Sequence, residues 1–201
     1  MKIIGITGPS GSGKGFLSAE LATLGYVHAD ADKIYHRLLS ESEELRSDLV
    51  CAFGVDIEKD GVIDRKALGN KVFGKKNARK LQQLNKITHK YVCREYVKII
   101  LSLKAEKTRG LIIDAPLLIE ARLHKLCDTN IFVIAGRETR IERIMARDGI
   151  DRAAAERRID SQKDVSFYAK HCEHIFISDG AERASDFAMH IDKLLHTEES
   201  R

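Results

Sequence analysis

Gly8-Pro9-Ser10-Gly11-Ser12-Gly13-Lys14 is spaced as G-x-x-x-x-G-K, the arrangement of a phosphate-binding loop. In such a loop the glycines let successive backbone N–H groups turn inward onto a β-phosphate. The helix that follows adds the positive end of its dipole, and the lysine ammonium reaches the β- and γ-phosphoryl oxygens. The chemistry this serves is phosphoryl transfer from a nucleoside triphosphate. The next residue ordinarily brings a hydroxyl to magnesium, but here it is Gly15, and Phe16 has no hydroxyl either. Magnesium keeps several waters in such sites, so a water can fill that place while the nucleotide phosphates hold the ion. The plainer description, a glycine-rich turn with an exposed lysine, explains neither the apolar run before the loop nor the amphipathic helix after it.

Phosphoryl transfer to a hydroxyl needs a base and a metal-side carboxylate. Asp30-Ala31-Asp32 follows Tyr26-Val27-His28 and precedes a helical pattern through Ile34, Tyr35, Leu38 and Leu39. This is the position of a strand's C-terminal end, the edge where open α/β sheets bind ligands. Asp32 there is the candidate base that takes the proton of an acceptor hydroxyl. Asp30 caps the helix or touches magnesium through water, and an N-cap role is the alternative for either aspartate. Leu111-Ile112-Ile113-Asp114 is a second apolar strand ending in an acid, which places Asp114 near the metal, through water.

Charge developing on the equatorial oxygens calls for cations, and Arg140, Arg143 and Arg147 recur at helical spacing. The same spacing equally describes a solvated face paired with Glu138, Glu142 and Asp148. Arg147 stands apart because it ends its helix beside Asp148-Gly149. The eight histidines form no His-x-x-x-His pair with an acid between, which reads as scattered surface residues rather than a metal site. Asn85-Lys86-Ile87-Thr88 looks like a guanine-reading Asn-Lys-x-Asp, but its fourth residue is not an acid and no strand precedes it.

Positioning these groups requires strands with their C-terminal ends together. Lys2 to Thr7 is a β-branched run, and a helical pattern through Phe16, Leu17, Leu21 and Leu24 follows until Gly25. Leu111–Ile113 and Ile131–Ala135 are continuously apolar, as strands buried on both faces of a parallel sheet are. Ile175-Phe176-Ile177 is a further strand, and Phe187, Ile191, Leu194 and Leu195 mark one side of a closing helix. The pattern predicts an α/β fold with a mostly parallel sheet. Ser40 to Arg109 interrupts it as an almost wholly helical, polar insertion. Arg147 to His174 reads as a charged helical flap around one apolar cluster.

Composition narrows the function classes. The 201 residues, 43% of them hydrophobic, suffice for one domain with a sizeable core. No apolar run approaches the roughly 18 residues of a membrane span, and the first apolar run is too short for a signal peptide. The chain is therefore expected to start at Met1 in the cytoplasm. Four widely spaced cysteines predict reduced thiols rather than a zinc ribbon or disulfide framework. A formal charge of +4 suits anionic small molecules and falls short of a nucleic-acid footprint.

Taken in order, the loop with Leu24-Gly25 and Asp30-Ala31-Asp32, then Gly61 to Gly69 with Val72-Phe73, then Ile87-Thr88-His89, then Asp114 to Glu120, then Arg143 to Gly149 with Arg158-Ile159 and Ser161-Gln162, resemble the dephospho-CoA kinase family. The resemblance covers residues from about 1 to about 195. It implies a three-layer P-loop kinase fold in a single domain, 1–201. A helical acceptor-binding insertion is expected at about 60–108, and a helical lid at about 147–174. The implied reaction is ATP plus dephospho-CoA giving CoA plus ADP, with magnesium accompanying ATP and a ribose 3′-hydroxyl as acceptor.

By the same resemblance, ATP is bound by Gly8, Pro9, Ser10, Gly11, Ser12, Gly13, Lys14, Gly15 and Phe16. The acceptor is bound by Asp32, Arg65, His89, Pro116 and Leu117, and Asp32, Lys14 and Arg147 are catalytic. No nucleic-acid or membrane partner is implied, and the chain is expected to be a monomer or a weak homo-oligomer. Two departures from the family pattern stand out: Gly15-Phe16 replaces Ser-Thr, and Ser178-Asp179-Gly180 replaces an Asn-x-Gly. Two other readings compete. Gly-Lys-Gly suits a nucleotide monophosphate kinase, and the missing hydroxyl suits a non-catalytic ATP-binding regulator.

Overall fold

The computed structural model describes residues 1–106 and 108–197. They pack as two compact units, residues 1–30 with the described residues from 103 onward, and Ala31–Ser102.

The first unit is an α/β layer structure built on β1 (Lys2–Thr7), β2 (Tyr26–Asp30), β5 (Gly110–Asp114), β6 (Thr129–Ile134) and β7 (His174–Ile177). All five strands are parallel, in the order β2-β5-β1-β6-β7. The central strands β5, β1 and β6 carry continuous buried runs because helices or loops cover both faces, as their sequences predict. On one face, Leu17 and Leu21 of α1 (Lys14–Thr23) and Phe187, Ala188 and Ile191 of α9 (Ala184–Thr197) pack on Ile4, Ile6, Ile112, Ile131, Val133 and Phe176. Each such aliphatic side chain, fully buried, contributes about 1.5–3 kcal/mol of transfer free energy.

Parallel register aligns the strand ends. Asp30 at the end of β2 pairs with Asp114 at the end of β5, and Asp114 in turn with Ile6, next to the loop that leaves β1. The two carboxylates and the phosphate loop therefore share one edge of the sheet.

A second cluster lies further along the chain. α6 (Arg137–Asp148) ends at Gly149, whose left-handed φ of 63° favours glycine, and α7 (Arg152–Asp160) begins with Asp151 capping Ala154 N. The two helices join through Ile141, Ile144, Ala155 and Ile159. Only Ala155 and Ile159 of this cluster fall within the charged segment 147–174, and Ile141 and Ile144 precede it. α8 (Val165–Ala169) follows, and its Tyr168 stacks on Phe132 of β6.

The second unit holds α2 (Ala31–Glu41), α3 (Glu43–Phe53), α4 (Arg65–Val72) and most of α5 (Ala78–Ala105). It takes in much of the segment expected as the helical insertion. One difference from that expectation is a small antiparallel hairpin of β3 (Glu58–Lys59) and β4 (Val62–Ile63). Asp60 and Gly61, both with positive φ, make its turn, and two-residue strands are too short to leave an alternating pattern. α5 is tied to α2 by Arg37–Glu95 at 2.9 Å and to α3 by Tyr91 Oη donating to Asp48 at 2.7 Å.

Candidate active site

The loop after β1 keeps its shape because two of its glycines do what no other residue can. Gly11 and Gly13 sit at φ of 77° and 91°. A Cβ at Gly11 would meet the Arg140 carbonyl oxygen at 2.7 Å, and one at Gly13 would meet Ser178 Oγ at 2.8 Å. Lys14 opens α1 and its Nζ donates to Gly8 O at 2.9 Å. Ser12 Oγ is buried in the loop and has no hydrogen-bond partner among the described residues, and a phosphoryl oxygen is a group it could donate to.

Three arginines of α6 hold this loop. Arg140 Nε donates to Ser10 O at 3.0 Å, Arg143 Nη1 to Gly11 O at 3.2 Å and to Ser178 Oγ at 2.7 Å, and Arg147 Nη2 to Ser10 Oγ at 3.2 Å. Sequence spacing alone leaves a solvated face open for all three. Arg147 also forks onto Asp148 at 2.8 and 3.0 Å, and Arg158 binds the same carboxylate. These guanidinium groups, Arg147 first, pull the Asp148 carboxyl down to about 2. In return the hydrogen bond to Asp148 raises Arg147 above its ordinary value. Arg140 goes the other way, lowered by burial and then by the charge of Arg137.

At the carboxylate edge, Asp114 is almost fully buried and accepts from Ser18 Oγ at 3.4 Å; His28 Nε2 lies 3.3 Å from the same oxygen. Asp30 is the register partner of Asp114 at the same edge. A hydrated divalent cation beside a triphosphate suits that donor set, and Gly15 supplies no hydroxyl to it. Pro116 is half-buried, its carbonyl accepting from Thr7 Oγ1 at 3.3 Å, and Leu117 is exposed.

The site residues expected from sequence divide between the units. Residues 8–16, Asp114, Pro116, Leu117 and Arg147 belong to the first, and Asp32, Arg65 and His89 to the second. Asp32 is exposed in the first turn of α2, where a carboxylate favours the helix dipole. Arg65 is exposed at the start of α4, close enough to Tyr35 for its charge to oppose the rise that burial imposes on that phenol. His89 is half-buried on α5. Ser18 and His28 had no sequence signal, because a serine in a helix and a histidine on a strand are individually unremarkable. Arg140 and Arg143 did have one, a one-sided i, i+3, i+7 series.

The sequence model of the dephospho-CoA kinase family matches residues 2–182. The chain belongs to the dephospho-CoA kinase family. It is 42% identical over 162 residues to the dephospho-CoA kinase of Fusobacterium nucleatum, with 80% of each chain covered. Among solved structures it is similar to TT1252 from Thermus thermophilus, with a TM-score of 0.77 at 28% identity over 98% of this chain and 97% of that one. The dephospho-CoA kinase from Campylobacter jejuni aligns with a TM-score of 0.56 at 26% identity, over 98% and 96% of the two chains. Membership of this family makes the α/β unit with its parallel sheet a P-loop kinase fold.

Proposed function

We propose that this chain transfers the γ-phosphoryl group of ATP to the ribose 3′-hydroxyl of dephospho-CoA, releasing CoA and ADP. The observation that carries the reading is the shared sheet edge: a lysine-bearing phosphate loop after β1 beside the carboxylate ends of β2 and β5. In this reading residues 8–16 bind ATP, and Asp32, Arg65, His89, Pro116 and Leu117 serve the acceptor. Asp32 takes the hydroxyl proton as the acceptor oxygen attacks the γ-phosphorus in line. The bond from that phosphorus to the β,γ-bridging oxygen breaks, and Lys14 and Arg147 offset charge on the transferred group and the leaving ADP. Asp114, with Asp30 beside it, would hold through water a magnesium ion entering with ATP, which would supply neutralisation of phosphate charge.

The reading includes a cytoplasmic location, which four free thiols suit. It also includes a monomer or weak homo-oligomer acting on small molecules rather than on nucleic acid or membrane. Among the described residues no helix is long and apolar enough to cross a membrane.

The test is ADP release with dephospho-CoA as acceptor, run beside AMP, CMP and buffer alone. Turnover restricted to dephospho-CoA is expected. Turnover of AMP or CMP instead would identify a nucleotide monophosphate kinase, and ATP binding without turnover of any acceptor would leave only the regulator.

A further inference from the structure

We propose that Phe16 is a nucleobase-binding residue, its ring serving as the platform on which the base of the bound triphosphate stacks. The inference rests on the kinase reading above, which counts Phe16 among the ATP-binding residues, and deepens it by naming the part of the nucleotide that this ring meets, in place of the hydroxyl residue the family pattern carries there.

Three observations converge on it. Phe16 lies in the first turn of α1, two residues past the lysine, and its side chain is 61% exposed although the two leucines of that helix, Leu17 and Leu21, are fully buried. Leaving an aromatic side chain of this size in water forgoes the transfer free energy that α1 collects at Leu17 and Leu21. The ring also lines a cavity of about 310 Å³, the size of a small-ligand pocket. The opposite wall is the segment after β7, with Ser178, Gly180, Ala181 and Ser185. Finally, that wall is fastened to the phosphate loop. Arg143 bonds Gly11 O and Ser178 Oγ with one nitrogen, and Gly13 approaches Ser178 too closely to admit a Cβ.

The direction of a bound triphosphate follows. Its β- and γ-phosphates belong beside Lys14 and the Asp114 edge. Its α-phosphate and nucleoside therefore leave the loop on the other side, where Phe16 and Ser178 face the cavity. An aromatic ring there stacks on any base, because every base presents a π-face, and removing such a ring weakens binding roughly 5- to 100-fold. Stacking does not read the base edge, so Phe16 separates nucleotides from bare polyphosphate and leaves the choice between purines to other groups.

The experiment is calorimetric titration of ATP, GTP and inorganic tripolyphosphate into the full chain and into Phe16→Ala and Phe16→Trp, with magnesium present. Phe16→Ala is expected to weaken ATP and GTP alike, about tenfold, and to leave tripolyphosphate unchanged. Phe16→Trp is expected to keep ATP affinity within about threefold. The chain has no tryptophan of its own, so that variant's fluorescence should be quenched by ATP and not by tripolyphosphate. Phe16→Ala binding ATP within twofold of the parent, or losing tripolyphosphate as much as ATP, would overturn the assignment. A parent protein that binds none of the three ligands removes the kinase reading itself, and the role of Phe16 with it.

Discussion

Restoring a hydroxyl at position 15 isolates what Gly15 has cost this chain. Gly15 is the second residue of α1, is exposed, and has no left-handed φ; a Cβ built on it meets no heavy atom within 4 Å. Gly15→Ser therefore carries no steric penalty, in contrast to Gly11 and Gly13, where loop and neighbour close in. Serine is a better helix former than glycine by about 0.5 kcal/mol, which corresponds to a rise of about 1–2 °C in Tm for a chain of this size. Its hydroxyl would also stand where a phosphate loop normally presents a magnesium ligand. Replacing one water of the ion by a neutral oxygen is worth on the order of 1 kcal/mol, the net value of a typical polar contact, or about a fivefold fall in half-saturating magnesium. The assay is ATP binding across a magnesium series for both proteins, with thermal melting in the absence of nucleotide as the control. A Tm that rises while the magnesium requirement stays flat would show that the serine hydroxyl reaches no ion. A Tm that falls would refute the open space around Gly15 itself.

Asp32→Asn keeps size and most capping capacity but cannot take a proton. With dephospho-CoA as acceptor, kcat should fall by roughly 10² to 10⁴ while ATP affinity by titration stays within about twofold; retention of more than about a tenth of kcat would return Asp32 to the role of a helix residue. Asp192→Asn addresses stability instead. The Asp192 carboxylate accepts from Arg109 at 2.8 and 2.6 Å and from Tyr26 Oη at 3.0 Å, and Arg109 and then Tyr26 hold its carboxyl below the usual range. Because Arg109 is partly exposed, the discounted loss is about 1–2 kcal/mol, or about 2–8 °C in Tm. A depressed folded-state value stabilises above the ordinary carboxylate range and is lost as pH falls through it, so the two melting curves should converge in acid; a gap that persists there would assign the loss to packing.

The sheet was legible because its chemistry is local. β5 and β6 are uniform apolar runs that only two-sided burial explains, and β1 leads into a loop whose glycine spacing has one physical use. The strand-end carboxylates Asp30 and Asp114 were legible for a related reason, since a strand that ends in Asp points to a sheet edge wherever its neighbours stand. Long-range groups left no such trace. Asp192 meets Tyr26 across 166 residues, and Asp179 accepts from Gly136 N at 2.8 Å, bracing the start of α6, though its own segment reads only as a turn. Neither partner is predictable from a window of sequence.

The arginines of α6 mark the boundary between the two kinds of information. A helix that turns Arg140, Arg143 and Arg147 to one side has the sequence of a solvated face, and periodicity cannot say what that side meets. The loop supplies the missing term. Gly11 lacks a side chain, so the backbone of α6 at Arg140 can come within van der Waals contact of it, and at that distance the three guanidinium groups reach Ser10 O, Gly11 O and Ser10 Oγ. Loop carbonyls that turn away from the phosphate need donors of this kind, because a buried carbonyl without one costs about 1–3 kcal/mol. The same glycines that open the loop to a phosphate on one side thus admit α6 on the other. A motif that reads as ligand chemistry is also a packing requirement, and the arginines are its complement.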